Sequence, residues 1–329
     1  MYNNVHRDSE YINSLKAFIH KKYQINAFTI TPAKRGYYGE TWKLETANNE
    51  FYFVKVDYFL RHQKLFQDSL PVIDYLCNSG IDFIPKVVKT CNDELYAIFN
   101  SAVLGVFEWI DGENVETDET KTPEYQMLCK IYQLTKQGFD IPTVEFSDAA
   151  ATRFYEKWEQ LKGVSASVAT GTIISIFEKH REKLSHRALR LLHFASLCQK
   201  NKDDFYLTHG DAGGNFFVGN GRYYIVDWDE VMYAPLERDA WVMGCRDWAR
   251  KLFNKTLREN NIQYELRLER LAFYCYHMYF HYLGEFFEDF TLHGRTESIE
   301  AYFSEGYFME ERIQFADKVS IEVTREISG

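Results

Sequence analysis

The fold of this chain is constrained most by a change in hydrophobic periodicity part-way along the sequence. Residues 25–57 alternate apolar and polar side chains, as antiparallel hairpins do. Gly36 and Gly39 mark one bend, and the asparagines at 48–49 mark the next. After Thr117 the apolar side chains recur at helical spacing, over 122–138, 151–162, 173–200 and most of 236–327. The sequence therefore predicts an α+β fold, with a small antiparallel sheet followed by a mainly helical part.

The predicted sheet continues beyond a helix. Within residues 60–80, Ser69 before Pro71 is a helix-start signal and Gly80 is a stop signal, which predicts one helix or two short ones. Residues 86–112 then predict two or three more strands and end at an Asp-Gly turn. The N-terminal part is expected to run β, β, β, α, β, β, as a five-stranded antiparallel sheet with one or two helices.

Charge and composition restrict the partners. The 38 Lys+Arg against 48 Asp+Glu give a net charge of −10, which argues against nucleic-acid or anionic-membrane partners and favours a cationic or metal-bound ligand. The uncharged runs at 164–177 and 271–284 are too short to cross a bilayer, and the N-terminal residues lack the apolar core of a signal peptide. The six cysteines are far apart, so we expect reduced thiols. We expect a cytoplasmic monomer or homodimer.

A short β segment interrupts the helical part and carries the chemically informative residues. Two apolar runs flank an Asn-Gly hairpin signal at 220–221. His209-Gly210-Asp211, Asn215 and Asp227-Trp228-Asp229 lie around this hairpin. Mg²⁺ prefers hard oxygen ligands and takes one or two carboxylates plus substrate phosphates, which Asp227 and Asn215 can complete. Asp211 would then orient and deprotonate an attacking hydroxyl, so the arrangement suits phosphoryl transfer.

These motifs together resemble the aminoglycoside phosphotransferase and choline kinase family, whose members have a protein kinase-like fold. The hairpin glycines, Lys55 in FYFVKVD, FEWIDG, HGD and DWD occur in the family's order and cover most of the chain. The segment DWDEVMYAPLERD resembles the spectinomycin phosphotransferase branch. The resemblance implies a bilobal fold: a nucleotide-binding lobe over residues 1–107, a hinge at 108–112, and a helical lobe over 113–329 with the catalytic loop and acceptor site.

The resemblance also implies the residues that perform the chemistry. Asp211 is expected to be the catalytic base, and Asn215 and Asp227 are expected to bind Mg²⁺. Lys55 is expected to bind the α- and β-phosphates of ATP. A lysine at the end of an alternating strand would otherwise be a solvated edge-strand residue.

Further residues are expected to hold the nucleotide and the loop. The backbone of Glu108, Trp109 and Ile110 is expected to meet the adenine edge. Gly36 and Gly39 are expected to cover the phosphates, although an ordinary hairpin turn would also explain them. Two residues are expected to be structural: His209, and Asp239, which would hold the catalytic loop from a following helix.

The catalytic loop departs from the family's pattern. The Asn usually lies five residues after the catalytic Asp, whereas Asp211 and Asn215 are four apart. Gly213 and Gly214 between them are expected to relax the backbone limits and let Asn215 reach the metal.

The usual partner of the strand lysine is also missing. In the family this partner is a helix Glu, but no Glu occurs between Lys55 and Glu94. Either Asp74 or Asp68 is expected to serve in its place. Because lobes joined by one hinge close around substrate, Lys55 is also expected to lie too far from Asp227 to share a nucleotide in the ligand-free chain.

Acidic side chains are frequent near the C-terminus. Eight acids and two arginines lie between residues 285 and 312. A solvated helix face explains this, and so does a pocket wall that attracts a cationic substrate. Glu285, Glu288 and Asp289 are the candidates for such a wall because they fall near one turn of a predicted helix. Asp229 is a further acceptor-site candidate, and it would also suit a second metal-site carboxylate or a solvated or capping residue.

The expected function is ATP- and Mg²⁺-dependent phosphorylation of a hydroxyl on a small, cationic molecule. An aminoglycoside or aminocyclitol antibiotic is the first candidate acceptor. An endogenous metabolite of the choline, homoserine or methylthio-sugar type would use the same chemistry. A kinase fold that binds ligand without transferring phosphate is the alternative from another class, because of the missing Glu and the short loop. The sequence leaves the acceptor and the choice of ATP or GTP open.

Overall fold

The structure, a computed structural model, describes residues 7–33, 39–163, 167–200 and 205–328. The chain divides into two compact units. Unit 1 comprises Met1–Thr143 and Tyr206–Tyr233, and unit 2 comprises Val144–Phe205 and Ala234–Gly329. The predicted lobes at 1–107 and 113–329 divide the chain at another place and stay a prediction.

Unit 1 contains a first helix that the predicted order of elements lacked. α1 (Ser9–Tyr23) starts after Asp8, whose side chain accepts a hydrogen bond from Tyr11 N at 2.8 Å. Every fourth residue from Leu15 to Tyr23 is buried against the sheet. Both the cap and the spacing are local features, so the sequence did contain the signal for this helix.

The main sheet of unit 1 is antiparallel, as predicted, and its described part has six strands instead of five. The strands are β1 (Ala27–Pro32), β2 (Glu40–Thr46), β3 (Phe51–Asp57), β4 (Val87–Val88), β5 (Ala97–Phe99) and β6 (Ala102–Glu108). Their order is β1-β2-β3-β6-β4, and β5 also pairs with β6. Because β3 lies between β2 and β6, Lys55 is on an interior strand, and the interpretation as an edge-strand lysine is wrong.

The helix between β3 and β4 runs through its proline. α2 (Leu60–Asn78) contains Pro71, so the predicted start at Ser69 is wrong. Ser69 is buried in mid-helix, where its Oγ donates to Phe66 O at 2.8 Å. Residues on both sides of Pro71 are buried, and this packing outweighs the local preference of proline against a helix interior. The predicted stop is confirmed, since Gly80 follows the helix end with φ 94°.

The rest of the described part of unit 1 forms two small sheets and one α-helix, and the last strand, β11, ends one residue into unit 2. Its elements are β7 (Glu113–Asn114), α3 (Lys121–Gln133), β8 (Tyr206–Thr208), β9 (Phe216–Gly219), β10 (Arg222–Ile225) and β11 (Met232–Ala234). One sheet has the order β10-β9-β7, and β11 pairs with β8 in the other. Asn220 and Gly221 have φ of 52° and 71°, which confirms the predicted hairpin turn between β9 and β10.

Unit 2 is helical, as the periodicity predicted. Its helices are α4 (Ala149–Lys162), α5 (Val168–Lys179), α6 (Arg181–Cys198), α7 (Glu237–Gly244), α8 (Asp247–Glu259), α9 (Leu268–His293), α10 (Glu297–Tyr302) and α11 (Met309–Ser328). α9 lies at the centre and contacts α4, α6, α7, α10 and α11. Within the described ranges, no helix is long and apolar enough to cross a membrane. All six cysteines fall in these ranges and are free thiols, as expected.

Candidate active site

Lys55 is held by two carboxylates from the second chain segment of unit 1, Tyr206–Tyr233. It pairs across the sheet with Thr41 and Gly105. Its Nζ lies 3.4 Å from Asp227 Oδ1 and forms a still closer ion pair with Asp229 Oδ2. The expected separation of Lys55 from Asp227 is therefore wrong, because the two carboxylates attract the ammonium. Burial by itself would lower the pKa of Lys55, but Asp229 and Asp227 raise it overall.

The chain needs glycine at position 39, directly before β2. Gly39 has φ 121°, and a side chain there would place its Cβ 2.6 Å from Val56 O. Only glycine permits both the backbone conformation and this close approach. Gly39 thus packs tightly against β3, the strand that carries Lys55. Gly36 lies outside the described residues, and the nucleotide-binding roles of both glycines stay predictions.

Neither aspartate proposed as the partner of Lys55 contacts it, so that prediction is wrong. Asp68 pairs with Lys64 at 2.7 Å, and Asp74 pairs with Lys89 at 3.2 Å. α2 begins only three residues after β3 ends. Its first turn, and not the later turns that carry these aspartates, is therefore the part of the helix nearest to the end of β3.

The His-Gly-Asp loop after β8 is fixed by one histidine. His209 is buried; its Nε2 donates to Val226 O at 2.9 Å and its Nδ1 accepts from Asp211 N at 3.2 Å. This pairing requires the neutral tautomer with hydrogen on Nε2. His209 therefore ties the loop that carries Asp211 to the residue before Asp227.

The short loop between Asp211 and Asn215 still brings the Asn215 amide to the Asp211 carboxylate. Gly213–Asn215 form one turn of 3₁₀ helix. Asn215 Nδ2 donates to Asp211 O at 3.0 Å and to Asp211 Oδ2 at 3.2 Å. Val226 N donates to Asn215 O at 3.0 Å. The tighter 3₁₀ turn thus compensates for the shorter spacing between Asp211 and Asn215.

The two loop glycines make room for neighbouring side chains, which is not the reason expected from the sequence. Neither has positive φ, so relaxed backbone limits are not what they provide. A Cβ at Gly214 would lie 2.7 Å from Asp211 Oδ1, and a Cβ at Gly213 would lie 2.8 Å from Lys121 Nζ. Lys121 is buried and pairs with Glu124 at 2.8 Å. The glycines therefore allow close approach of the loop to charged side chains on both sides.

The two aspartates of the DWD motif have different surroundings. Asp227 has φ 63°, a left-handed conformation that is rare for non-glycine residues and is often found at functional sites. Its side chain is 49% exposed, and Lys55 lowers its pKa. Asp229 is buried, and burial raises its pKa despite the charge of Lys55. An ionised, accessible Asp227 is suited to binding a cation, whereas Asp229 is a buried partner of Lys55.

Comparison with known proteins places the chain in a family. Residues 29–274 match the model of the phosphotransferase enzyme family. The chain belongs to the phosphotransferase enzyme family. This result confirms the resemblance inferred from the motifs and the predicted enzyme class, a phosphotransferase with an alcohol group as acceptor. No curated protein matches the sequence.

Solved structures with the same fold include several small-molecule kinases. Spectinomycin phosphotransferase APH(9)-Ia, in complex with ADP and spectinomycin, has 19% identity and a TM-score of 0.76 over 92% of this chain and 98% of its own. An aminoglycoside phosphotransferase from Alicyclobacillus acidocaldarius has 12% identity and a TM-score of 0.63, covering 98% of both chains. The microcompartment-associated aminopropanol kinase has 14% identity and a TM-score of 0.64, covering 95% and 98%. The predicted kinase-like fold is confirmed.

In this member of the phosphotransferase family, Asp211 has an unusual affinity for protons. Although its side chain reaches solvent, desolvation by the surrounding chain raises the pKa of Asp211 to about 6. The negative charges of Glu230, Asp227 and Glu116 also raise it. A carboxyl with a pKa near neutrality is suited to accepting a proton during a reaction. Glu116 and Glu230 did not figure in the sequence analysis, because nothing in their local pattern links them to Asp211.

This raised pKa predicts how stability depends on pH in the nucleotide-free protein. The folded chain binds a proton at Asp211 more tightly than the unfolded chain, whose pKa is near 3.8, so the carboxyl favours folding below that pH and loses this contribution as the pH rises through about 6. Asp211→Asn cannot titrate. Its free energy of unfolding should therefore increase relative to wild type between these two pH values and then stay level. Chemical denaturation at pH 3.5 to 8 measures the difference, and a flat difference would contradict the raised pKa.

The predicted hinge residues lie inside unit 1, at the end of β6. Glu108 N donates to Lys86 O at 2.9 Å, and Trp109 N donates to Phe51 O at 3.4 Å. Lys43 Nζ lies 4.5 Å from the centre of the Trp109 ring. Ile110 is partly buried. Adenine binding by the Glu108, Trp109 and Ile110 backbone stays a prediction.

Four predicted site residues lie in unit 2. Glu288 pairs with Lys157 at 3.4 Å, and Asp289 pairs with Arg295. Glu285 is partly exposed on α9, and Asp239 is buried in the first turn of α7. The acceptor-site role of the three acids and the loop-holding role of Asp239 stay predictions, as does the acceptor-site role of Asp229, whose observed partner is Lys55.

Two further residues near Lys55 were missed by the sequence analysis. His62 is in the first turn of α2, and its ring nitrogens face Asp57 and Asp229. Asp57 ends β3, two residues after Lys55, and is fully buried. The available signal was a histidine directly after the lysine strand, in a helix without any Glu.

Proposed function

We propose that this protein transfers the γ-phosphoryl group of ATP to a hydroxyl of a small, cationic molecule. The class of reaction follows from its family. The nucleotide, the metal, the acceptor and the roles of individual residues are the proposal. An amino sugar or aminocyclitol antibiotic is the first candidate acceptor, which would make the protein a resistance enzyme.

One observation carries this proposal: the four motif residues predicted to act together lie in one connected group within unit 1. Lys55 Nζ is 3.4 Å from Asp227 Oδ1. Asn215 contacts Asp211 through its side chain, and its carbonyl accepts from Val226 N, next to Asp227. Lys55 and Asp227 are 172 residues apart in the chain, so local structure alone does not bring them together.

The donor groups fit a magnesium ion. Asp227 offers an ionised, accessible carboxylate, and Asn215 offers an amide oxygen on the neighbouring turn. One carboxylate and one amide oxygen suit Mg²⁺, which usually completes its ligands with water and substrate phosphates. When bound, Mg²⁺ would neutralise phosphate charge during transfer.

The side chains divide the reaction between them. Asp211 would orient the acceptor hydroxyl and take its proton as the oxygen bonds to the γ-phosphorus. The bond between that phosphorus and the β–γ bridging oxygen breaks, and ADP leaves. Lys55 would bind phosphate oxygens, with Asp229 as its buried partner before nucleotide arrives. His209 keeps Asp211 in register with Asp227 through its two hydrogen bonds.

The acceptor is proposed to be cationic on three grounds. The chain carries a net charge of −10, and the candidate base has two further acids, Glu116 and Glu230, in its field. Structural neighbours include proteins named for spectinomycin and for aminopropanol, both of which carry amines. The second neighbour favours a specific alternative, a kinase of a metabolic amino alcohol.

The test is ADP release with Mg²⁺·ATP and a panel of acceptors. The panel contains aminocyclitols, aminoglycosides, amino alcohols, homoserine, choline, a methylthio-sugar, and uncharged polyols of similar size. Turnover confined to amines supports the proposal, and the preferred group decides between antibiotic and metabolite. Turnover of polyols alone would contradict a cationic acceptor. Absence of turnover together with Mg²⁺-independent nucleotide stabilisation in thermal melting would favour the fold that only binds ligand.

Neutralising the acids on α9 tests whether they contribute to acceptor binding. Glu285→Gln, Glu288→Gln and Asp289→Asn together are expected to raise KM for the acceptor and leave KM for ATP unchanged. Each close charge pair contributes about 1 kcal/mol in water and more in a partly desolvated cleft. A matched control removes three exposed acids elsewhere in unit 2, by Asp247→Asn, Glu259→Gln and Glu265→Gln. Equal effects of the two triple variants on acceptor KM would assign the α9 acids to a solvated face.

A further inference from the structure

Lys55 and three other buried polar side chains form a cluster, which we call the His62 cluster: Lys55, Asp57, His62 and Asp229. Their exposures are 7%, 0%, 4% and 7%. Burial of charged groups is costly unless they are paired, so their geometry is expected to be tightly determined.

One side of the cluster fixes the histidine ring. Asp57 Oδ1 accepts from Phe59 N at 2.9 Å, and its Oδ2 contacts His62 Nδ1. Gln63 Nε2 donates to Asp57 O at 2.9 Å and to Ser101 O at 3.2 Å. The end of β3, the first turn of α2 and the turn before β6 are thereby joined, and the ring of His62 is held in one orientation.

The other side of the cluster reaches Lys55. His62 Nε2 lies 3.6 Å from Asp229 Oδ2, and the same oxygen holds the ammonium of Lys55. α2 is therefore connected to Lys55 through a histidine and an aspartate. α2 itself contains no Glu, and its Asp68 and Asp74 are paired with other lysines.

We propose that His62 is a positioning residue that sets the location of the Lys55 ammonium by bridging Asp57 and Asp229 with its two ring nitrogens. The effect of this on phosphate binding rests on the proposed function. The location of Lys55 in the nucleotide-free protein does not depend on it. A residue that merely filled space would affect stability alone, because removing it would leave the Lys55 and Asp229 pair in place.

Two isosteric substitutions separate the two contacts of the ring. The Asn amide in His62→Asn can replace Nδ1 at Asp57 but does not reach Asp229. The longer Gln in His62→Gln can replace Nε2 at Asp229. His62→Ala removes both contacts, and His186→Asn, at an exposed histidine of unit 2, is the control. Native melting curves establish which variants are folded.

The first readout is the acylation rate of Lys55 in nucleotide-free protein, measured by peptide mass spectrometry against exposed Lys251. The contact between His62 Nε2 and Asp229 Oδ2 is 3.6 Å long, beyond hydrogen-bond distance, so its loss is expected to shift the local equilibrium by about tenfold, the low end of the range for hydrogen bonds to charged groups. His62→Asn and His62→Ala are therefore expected to raise Lys55 acylation about tenfold. His62→Gln should stay near wild type. Unchanged acylation in folded His62→Asn overturns the proposal, and should the Ala and Asn variants fail to fold, Lys55 acylation raised in His62→Gln alone would also overturn it.

The second readout is steady-state kinetics. His62→Asn is expected to raise KM for ATP by about tenfold with little change in KM for the acceptor, and His62→Gln is expected to restore it. Lys55→Met gives the upper limit of the effect. If wild-type protein turns over no acceptor, the proposed function fails while the acylation result still decides the role of His62. If KM for ATP is unchanged although Lys55 is released, the link to phosphate binding is wrong.

Discussion

Asp211→Asn is expected to lower kcat by about a hundred- to ten-thousandfold, the usual contribution of a general base. The substitution keeps the size of the side chain and its contact with Asn215 but removes the group that accepts the proton. KM for ATP should stay within a few-fold of wild type, since Asp211 is not proposed to bind the nucleotide. A coupled assay of ADP release with the best acceptor of the panel measures both constants.

The control for this prediction is Glu230→Gln, which removes an exposed acid from the surroundings of Asp211 without replacing the base. It is expected to keep most of the activity. Asp211→Asn protein that retains native melting and more than about a tenth of wild-type kcat would contradict the assignment of Asp211.

Asp227→Asn is expected to lower kcat by a comparable factor, about a hundred- to a thousandfold. The substitution removes the carboxylate proposed to bind Mg²⁺, the ion that would stabilise the charge of the phosphoryl group during transfer. Asn tolerates the left-handed backbone found at this position, so the substitution adds little strain. Lys55 keeps Asp229 as a partner. The loss is therefore expected in metal-dependent steps and not in folding.

Thermal melting with ADP, in the presence and absence of Mg²⁺, tests this directly. Ligand at a hundred times its Kd stabilises the folded state by about 2.7 kcal/mol. Wild type should gain more from ADP when Mg²⁺ is present, and Asp227→Asn should lose that difference. The matched control is Asp82→Asn, which removes an exposed aspartate paired with Arg222. An Asp227→Asn protein with undiminished Mg²⁺ dependence would remove Asp227 from the metal site.

Most elements could be predicted from the sequence because their signals are local. The hairpin at Asn220-Gly221 needs φ above zero at two successive residues, and that dipeptide supplies it. The helices of unit 2 follow from apolar spacing that any amphipathic helix requires. α1 carried signals of the same kind and was missed. At Pro71 the local signal predicted a helix start, but burial of the residues before and after the proline keeps α2 continuous.

The order of the motifs in the sequence determined the family, and with it the fold and the class of reaction, because a shared order of motifs reflects a shared chain path. Only the tertiary structure decided which charges meet. Asp229 and Lys55 are 174 residues apart, and the turn of α2 that lies beside them depends on how β3 ends. Coulomb attraction depends on distance in space, and burial decides its strength. A search along the chain for an acid near Lys55 therefore led to Asp68 and Asp74, whereas folding placed His62, Asp57 and Asp229 around it.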